Sequence, residues 1–143
     1  MPASNVILHS HHVIEQSIFR RNPLLKKLVE HGFIDQDIST NRLYLPVEGS
    51  LADELETSPH RGRTRTSYTD GITLTLDEIL DGPDGRAALT NDPVALKRVA
   101  EQINELQDTL KVALINGDVY ATTPDRLTKE EANAQNRKTF SDI

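Results

Sequence analysis

Apolar residues return every three or four positions in several stretches of the sequence, which is the spacing of one face of an α-helix. The longest of these stretches begins at Asp92-Pro93, where a capping residue precedes a proline, and closes at Asn116-Gly117. Its apolar face consists of Val94, Val99, Ile103, Leu106, Leu110 and Leu114. The pattern therefore predicts a long amphipathic helix in the second half of the chain.

Two shorter helices are predicted upstream of it. Asn22-Pro23 has the pattern of a helix start, and Gly32 is placed to end that helix in a left-handed turn. Ser58-Pro59 resembles a second cap-and-proline start, which would place His60 in the first turn of a helix or just before it. The turn-rich segment 81–85 would end this second helix. The buried positions predicted for the two helices are Leu24, Leu25, Leu28 and Val29, and then Tyr68, Ile72, Leu76, Ile79 and Leu80.

Strand patterns are shorter and fewer. Residues 4–13 are predicted to be extended, and residues 41–46 alternate polar and apolar positions up to a proline. A last short strand is predicted at 119–121. Residues 128–131 form a capping box that starts a polar helix, whose end at 136–143 is predicted to fray. These elements together indicate an α+β fold that is predominantly helical.

Composition limits the chemistry that this fold can support. A chain of 143 residues is long enough for one domain with a real core but not for two. No apolar run approaches the length of a membrane span. Because cysteine is absent, any metal must be held by histidine, carboxylate or amide oxygen. The net charge of −6 lies mainly in the second half, whereas the first half is near neutral with local basic clusters.

The candidate chemistry is concentrated at Leu8–Ile14, where three of the chain's five histidines occupy four positions between apolar residues. On a strand, the adjacent side chains of His11 and His12 point to opposite faces. One imidazole can then bind a metal while its neighbour remains able to accept a proton. A purely structural or surface role for these histidines is the alternative.

Three features follow one another along the chain: the pair His11-His12, then Asn41 at the head of the strand pattern, then His60. This His–Asn–His order resembles the HNH/endonuclease VII group of ββα-metal nucleases, and in particular its AHH-type bacterial toxin nucleases. The resembling segment runs from about Leu8 to Ile79.

The resemblance implies a domain organisation as well as a fold. A single nuclease domain would span residues 1–143. A ββα-metal core at about residues 8–80 would be embedded in helices, and a C-terminal helical extension would follow at about residues 92–143.

The resemblance also implies a role for each residue of the set. His11 would be the first ligand of one divalent metal ion, which could be Mg²⁺, Zn²⁺, Ni²⁺ or Mn²⁺. His12 would be the general base. Asn41 would be either a ligand through its amide oxygen or the group that orients the base. His60 would be the last ligand, delivered from a helix.

The arginines that follow His60 are candidates for nucleic-acid binding. Arg61, Arg63 and Arg65 could contact the phosphates that flank the cleaved bond, and contacts of this kind fix position without reading bases. The acidic balance of the chain is unusual for a DNA-binding protein.

Two positions depart from the family pattern. Ser10 precedes the histidine pair where the family usually has alanine. Thr64 stands where many relatives carry a second histidine shortly after the one that matches His60. The metal would then have fewer protein ligands and would be bound more weakly, and His9 could supply a further ligand.

The function implied is a metal-dependent, non-specific DNA endonuclease that serves as the C-terminal toxin domain of a secreted antibacterial protein. It would be made in the bacterial cytoplasm and delivered into the cytoplasm of a target cell. A cognate immunity protein would be its partner in the producing cell. The alternatives are a catalytically decayed interaction module, which Thr64 favours, and an RNase that uses the same site.

Overall fold

The computed structural model describes residues 8–47, 49–60 and 64–143. Strands β1 and β2 pair in a two-stranded antiparallel sheet, and the remaining regular structure of the described ranges is helical. A 3₁₀ turn, Ser39–Asn41, leads directly into β2. The elements in chain order are β1 Leu8–His12, α1 Gln16–Arg21, α2 Pro23–Glu30, β2 Arg42–Pro46, α3 Gly49–Leu55, α4 Thr66–Asp81, α5 Pro83–Leu89, α6 Pro93–Asn116 and α7 Lys129–Asp142. The α+β, predominantly helical class predicted from the sequence is confirmed.

The described residues divide into two compact units, each assembled from separate chain segments. The first unit contains β1 as far as His11, Leu43–Gly71 and Leu110–Ile143. The second unit contains His12–Arg42 and Ile72–Thr109. The prediction of a single nuclease domain, with its core at about residues 8–80, stays a prediction.

In the first unit, the segment that follows α6 is buried without forming a strand. The backbone N–H of Tyr120 donates to Asn136 Oδ1, and the Tyr120 carbonyl accepts from Asn136 Nδ2. The strand predicted at 119–121 is therefore wrong, because a side chain of α7 satisfies the backbone groups that a neighbouring strand would use. Helix α7 runs to Asp142 and Phe140 packs edge-on against Tyr68, while the fraying of its end stays a prediction.

In the second unit, α2 begins as its sequence predicts. The Asn22 side chain accepts hydrogen bonds from the N–H groups of Leu24 and Leu25, and Pro23 occupies the first turn. Gly32 lies beyond the end of the helix with a φ of +75°, a conformation that glycine adopts without a steric penalty.

The turn predicted at residues 81–85 is wrong in part, because this segment also starts a helix. Gly82 is the N-cap of α5 and Pro83 is its first residue, so that glycine and proline here mark a helix start as well as a helix end. On α6 the predicted apolar face is buried except for Val94, which is 59% exposed. Among the described helices, none is both long enough and apolar enough to cross a membrane.

Candidate active site

Strand β1 separates the environments of its two consecutive histidines. The His11 side chain is buried, with 2% of the residue exposed, and belongs to the first unit. The His12 side chain is 23% exposed and belongs to the second unit. The alternation of side chains along a strand accounts for this difference.

His11 and His60 face each other in the first unit although 49 positions separate them in the chain. Their Nδ1 atoms are 3.1 Å apart and their ring centroids are 5.0 Å apart. The Nε2 atom of His11 lies 3.3 Å from the hydroxyl oxygen of Tyr68, which is buried on α4. The ring of His9 lies 5.8 Å from that of His60, centroid to centroid. The first unit thus gathers three imidazoles and one phenol.

The Nδ1 atoms of His11 and His60 lie at the distance of an N–H···N hydrogen bond, and this separation is also compatible with both nitrogens binding one divalent cation. Two histidine nitrogens that bind one ion at about 2.0–2.2 Å are roughly 2.8–3.6 Å apart, for angles of about 90–110° at the metal. The 3.1 Å between the two Nδ1 atoms falls in that interval. Within the described residues no group of three or more His, Cys, Asp or Glu side chains could hold a metal, so this pair would leave an ion's coordination sphere largely open.

His60 is held by a loop rather than by a helix, which corrects the sequence prediction. Helix α4 begins only at Thr66. Ser58 does not cap a helix start: its hydroxyl donates to the Pro59 carbonyl and accepts from the N–H of Ala121. The local cap-and-proline pattern was misleading because a residue distant in the chain uses the Ser58 side chain.

The residues that lead up to His60, and His60 itself, are fixed by further hydrogen bonds of the backbone. The His60 N–H donates to the carbonyl of Pro46 at the end of β2, over 2.7 Å. The Ser58 N–H donates to the carbonyl of Leu114 at the end of α6, and the hydroxyl of Thr122 donates to the Pro59 carbonyl. This backbone attachment places the His60 imidazole against His11 without helical support.

Asn41 is wholly buried in the second unit, and its amide is engaged on both atoms. Its Oδ1 accepts hydrogen bonds from the Ile14 N–H at 2.8 Å and from Gln107 Nε2 at 3.1 Å. Its Nδ2 donates to the carbonyl oxygens of Ile14 and Gln36. Its own carbonyl accepts from the Val13 N–H. Of the two roles predicted for Asn41, this geometry favours the orienting role over the ligand role.

His12 has a carboxylate partner that the sequence reasoning missed. Its Nε2 lies 2.8 Å from Oδ1 of Asp37, which is 25 positions away in the chain. The contact of the Tyr68 hydroxyl with His11 is a second feature that the sequence does not predict, because the pattern indicates Tyr68 as part of a buried helix face and of the segment that resembles the family, without a role at the site. Two features of the sequence point to these contacts: the acidic Asp35-Gln36-Asp37 turn for the partner of His12, and the position of Tyr68 shortly after His60 for the partner of His11.

The basic residues predicted to bind nucleic acid are only partly described. Arg61 and Arg63 lie outside the described residues. The Nε of Arg65 donates to Asn133 Oδ1 at 3.3 Å, and its backbone N–H donates to the Ala121 carbonyl. Its predicted phosphate contact stays a prediction. Thr64 is half-buried just before α4.

Comparison with known proteins identifies a family. A family model described as a nuclease family of the HNH/ENDO VII superfamily with conserved AHH matches residues 3–106. No curated protein and no solved structure gives a significant match. The matched range includes both histidine environments and Asn41, and it ends before the residues at 114–122 that hold the His60 loop.

Proposed function

The chain belongs to the AHH nuclease family of the HNH/ENDO VII superfamily, and from this we propose that it is a metal-dependent endonuclease hydrolysing phosphodiester bonds of DNA without sequence specificity. The approach of His11 and His60 to 3.1 Å across 49 chain positions is the single observation that carries the proposal. Two imidazole nitrogens arranged in this way are the expected donors for one divalent cation.

The residues that would hold the cation are His11 and His60, through their Nδ1 atoms. When bound, the cation supplies positive charge to the phosphate and to the leaving oxygen. Tyr68 orients the His11 ring through Nε2, which leaves Nδ1 directed at His60. Because the donors are imidazoles, Zn²⁺ and Ni²⁺ suit this pair better than Mg²⁺.

His12 is the proposed general base. Its Nε2 faces the Asp37 carboxylate, which accepts a hydrogen bond, so the ring hydrogen resides on Nε2 and Nδ1 keeps its lone pair. That Nδ1 takes the proton of the attacking water as the new P–O bond forms and the bond to the leaving oxygen breaks. General-base catalysis of this kind is typically worth about 10²–10⁴-fold in rate.

Recognition of DNA through its backbone is part of the same proposal. Arg61, Arg63 and Arg65 are the candidate phosphate contacts. Because the net charge of the chain is −6, binding should depend on a small number of local contacts, and its dependence on salt should be correspondingly shallow, since the slope scales with the number of phosphates contacted.

Plasmid nicking with added Mg²⁺, Mn²⁺, Ni²⁺ or Zn²⁺ tests the proposal directly. We expect nicking with at least one of these ions, and loss of nicking in the separate variants His11→Ala, His12→Ala and His60→Ala. His31→Ala is the matched control, because His31 is an exposed residue at the end of α2 that contacts Asn91.

The same experiment separates the competing functions. Duplex DNA, single-stranded DNA and structured RNA incubated in parallel distinguish a DNase from an RNase. Failure of every ion to support cleavage of any of these substrates would indicate a decayed interaction module, with Thr64 as the relevant departure.

We further propose that the domain is an antibacterial toxin, delivered into a target cell's cytoplasm and neutralised by an immunity protein in the producing cell. The resemblance to AHH-type toxin nucleases supports this, and the acidic second half offers one candidate surface for the immunity protein. Expression in bacterial cytoplasm should arrest growth for the unaltered protein but not for His12→Ala. Equal growth of the two strains would contradict the toxin role.

A further inference from the structure

The contact between His12 and Asp37 in the second unit makes the Asp37 carboxylate a candidate for a role of its own in the proposed chemistry. The distance of 2.8 Å between Nε2 and Oδ1 is that of a charge-assisted hydrogen bond. The Asp37 side chain is 59% exposed and the His12 side chain is 23% exposed, so the pair lies at the protein surface. Exposed pairs of this kind contribute little to folding stability. Folding stability alone therefore gives little reason for the contact between His12 and Asp37.

The backbone that carries Asp37 is fixed by hydrogen bonds on both sides. The Asp37 N–H donates to Asp35 Oδ1 over 2.8 Å, which closes a tight turn. The neighbouring carbonyl of Gln36 accepts from Asn41 Nδ2, also over 2.8 Å. The Asn41 N–H donates to the carbonyl of Ile38, on the other side of Asp37.

The residues that follow His12 are fixed by the same asparagine. The N–H groups of Val13 and Ile14 donate to the main-chain and side-chain oxygens of Asn41 respectively. One buried side chain therefore ties the loop of Asp37 to the strand end of His12.

We propose that Asp37 is a positioning residue, which holds the His12 ring in one orientation and keeps the ring hydrogen on Nε2. This inference rests on the proposed function, in which Nδ1 of His12 takes a proton from water. Without the carboxylate, the ring can rotate and either nitrogen can carry the hydrogen, so fewer molecules present a lone pair in the productive direction. Asp37 acts through His12 and touches no reacting atom.

The test compares Asp37→Ala and Asp37→Asn with His12→Ala in DNA cleavage at one fixed pH with the most active metal. Asp35→Asn is the matched control, because it removes a carboxylate from the same loop while its amide oxygen can still accept the turn hydrogen bond. For Asp37→Ala we expect kcat to fall about 10–100-fold, less than for His12→Ala, with KM changed less than about two-fold. Asp37→Asn should fall between Asp37→Ala and the unaltered protein, because its amide oxygen can still accept from Nε2.

A second measurement needs no activity. Nitrogen-15 spectra of the metal-free protein, assigned by comparison with His12→Ala, report the hydrogen bonding of each ring nitrogen. We expect the Nε2 resonance of His12 to move in Asp37→Ala and to stay in place in Asp35→Asn. Thermal unfolding of the variants checks that each remains folded.

The outcomes separate this inference from the proposed function. If Asp37→Ala keeps its kcat within about two-fold of the unaltered protein while His12→Ala is inactive, the positioning role is overturned and the nuclease proposal stands. A fall in kcat with an unmoved Nε2 resonance also overturns it. If His12→Ala itself retains full activity, the assignment of the base fails, and the inference fails with it.

Discussion

Replacement of Asn41 decides between the two roles that its position in the sequence allows. The side chain makes four hydrogen bonds while wholly buried, two as acceptor and two as donor. Asn41→Ala removes all four and leaves the Ile14 N–H and Gln107 Nε2 without an acceptor. Since an unsatisfied buried polar group costs about 1–3 kcal/mol, we expect a loss of roughly 3–5 kcal/mol. That is a large part of the roughly 5–15 kcal/mol that typically stabilises a domain.

The assay is urea unfolding of the metal-free protein, repeated with the metal that supports cleavage. Asn41→Asp keeps the two acceptor bonds, loses the two donor bonds and buries a carboxylate, so we expect a loss of about 2–4 kcal/mol. Asn116→Ala, at an exposed position at the end of α6, is the control and should change the free energy of unfolding by less than about 0.5 kcal/mol. If Asn41 were also a ligand, the stabilisation by metal would be lost in Asn41→Ala in addition to the stability of the metal-free protein. A loss below about 1 kcal/mol for Asn41→Ala without metal would refute the positioning role.

Three further predictions concern the first unit and the glycines that end helices. Tyr68→Phe should weaken metal affinity about 10-fold or more by freeing the ring of His11, as measured by calorimetric titration; unchanged affinity would contradict the contact. Ser58→Ala leaves a buried backbone N–H without an acceptor, and should cost about 1–3 kcal/mol in urea unfolding and reduce plasmid nicking. Gly117 has a φ of +71°, and a Cβ added there would lie 2.6 Å from a backbone oxygen, whereas Gly32 has a similar positive φ and no atom near such a Cβ. Gly117→Ala should therefore lower the free energy of unfolding by about 1–3 kcal/mol more than Gly32→Ala. Equal thermal stability of these two variants would show that the contact is relieved by backbone movement.

The parts of the fold that the sequence predicts well are those decided by neighbouring residues. Asn22 and Pro23 start α2 because the cap, the proline and the first N–H groups lie within one turn. The long helix α6 follows from its apolar spacing and from the glycine at its end. The different environments of His11 and His12 follow from the way successive side chains of a strand point to opposite faces.

The parts that the sequence did not predict depend on partners far away in the chain. Ser58 has the local pattern of a helix cap, but Ala121 takes its hydroxyl, and no local rule gives that choice. His12 pairs with Asp37 across 25 chain positions, where the loop and the strand end are both hydrogen-bonded to the same buried asparagine, and no local pattern by itself indicates this contact. The resemblance to the family predicts that His11 and His60 lie together, but it does not indicate which residues hold them in place.

The hydrogen bonds from residues 114–122 to the His60 loop determine which substitutions the nuclease can tolerate during evolution. The loop is anchored to carbonyl and N–H groups that lie beyond the region shared with the family, at 3–106. Substitutions at residues 114–122 can abolish nuclease activity even when every histidine is retained. A screen for loss of nuclease activity should therefore recover inactive variants at residues 114–122 as well as at the histidines, and a transplant of the shared region alone would carry the imidazoles without the groups that hold the His60 loop.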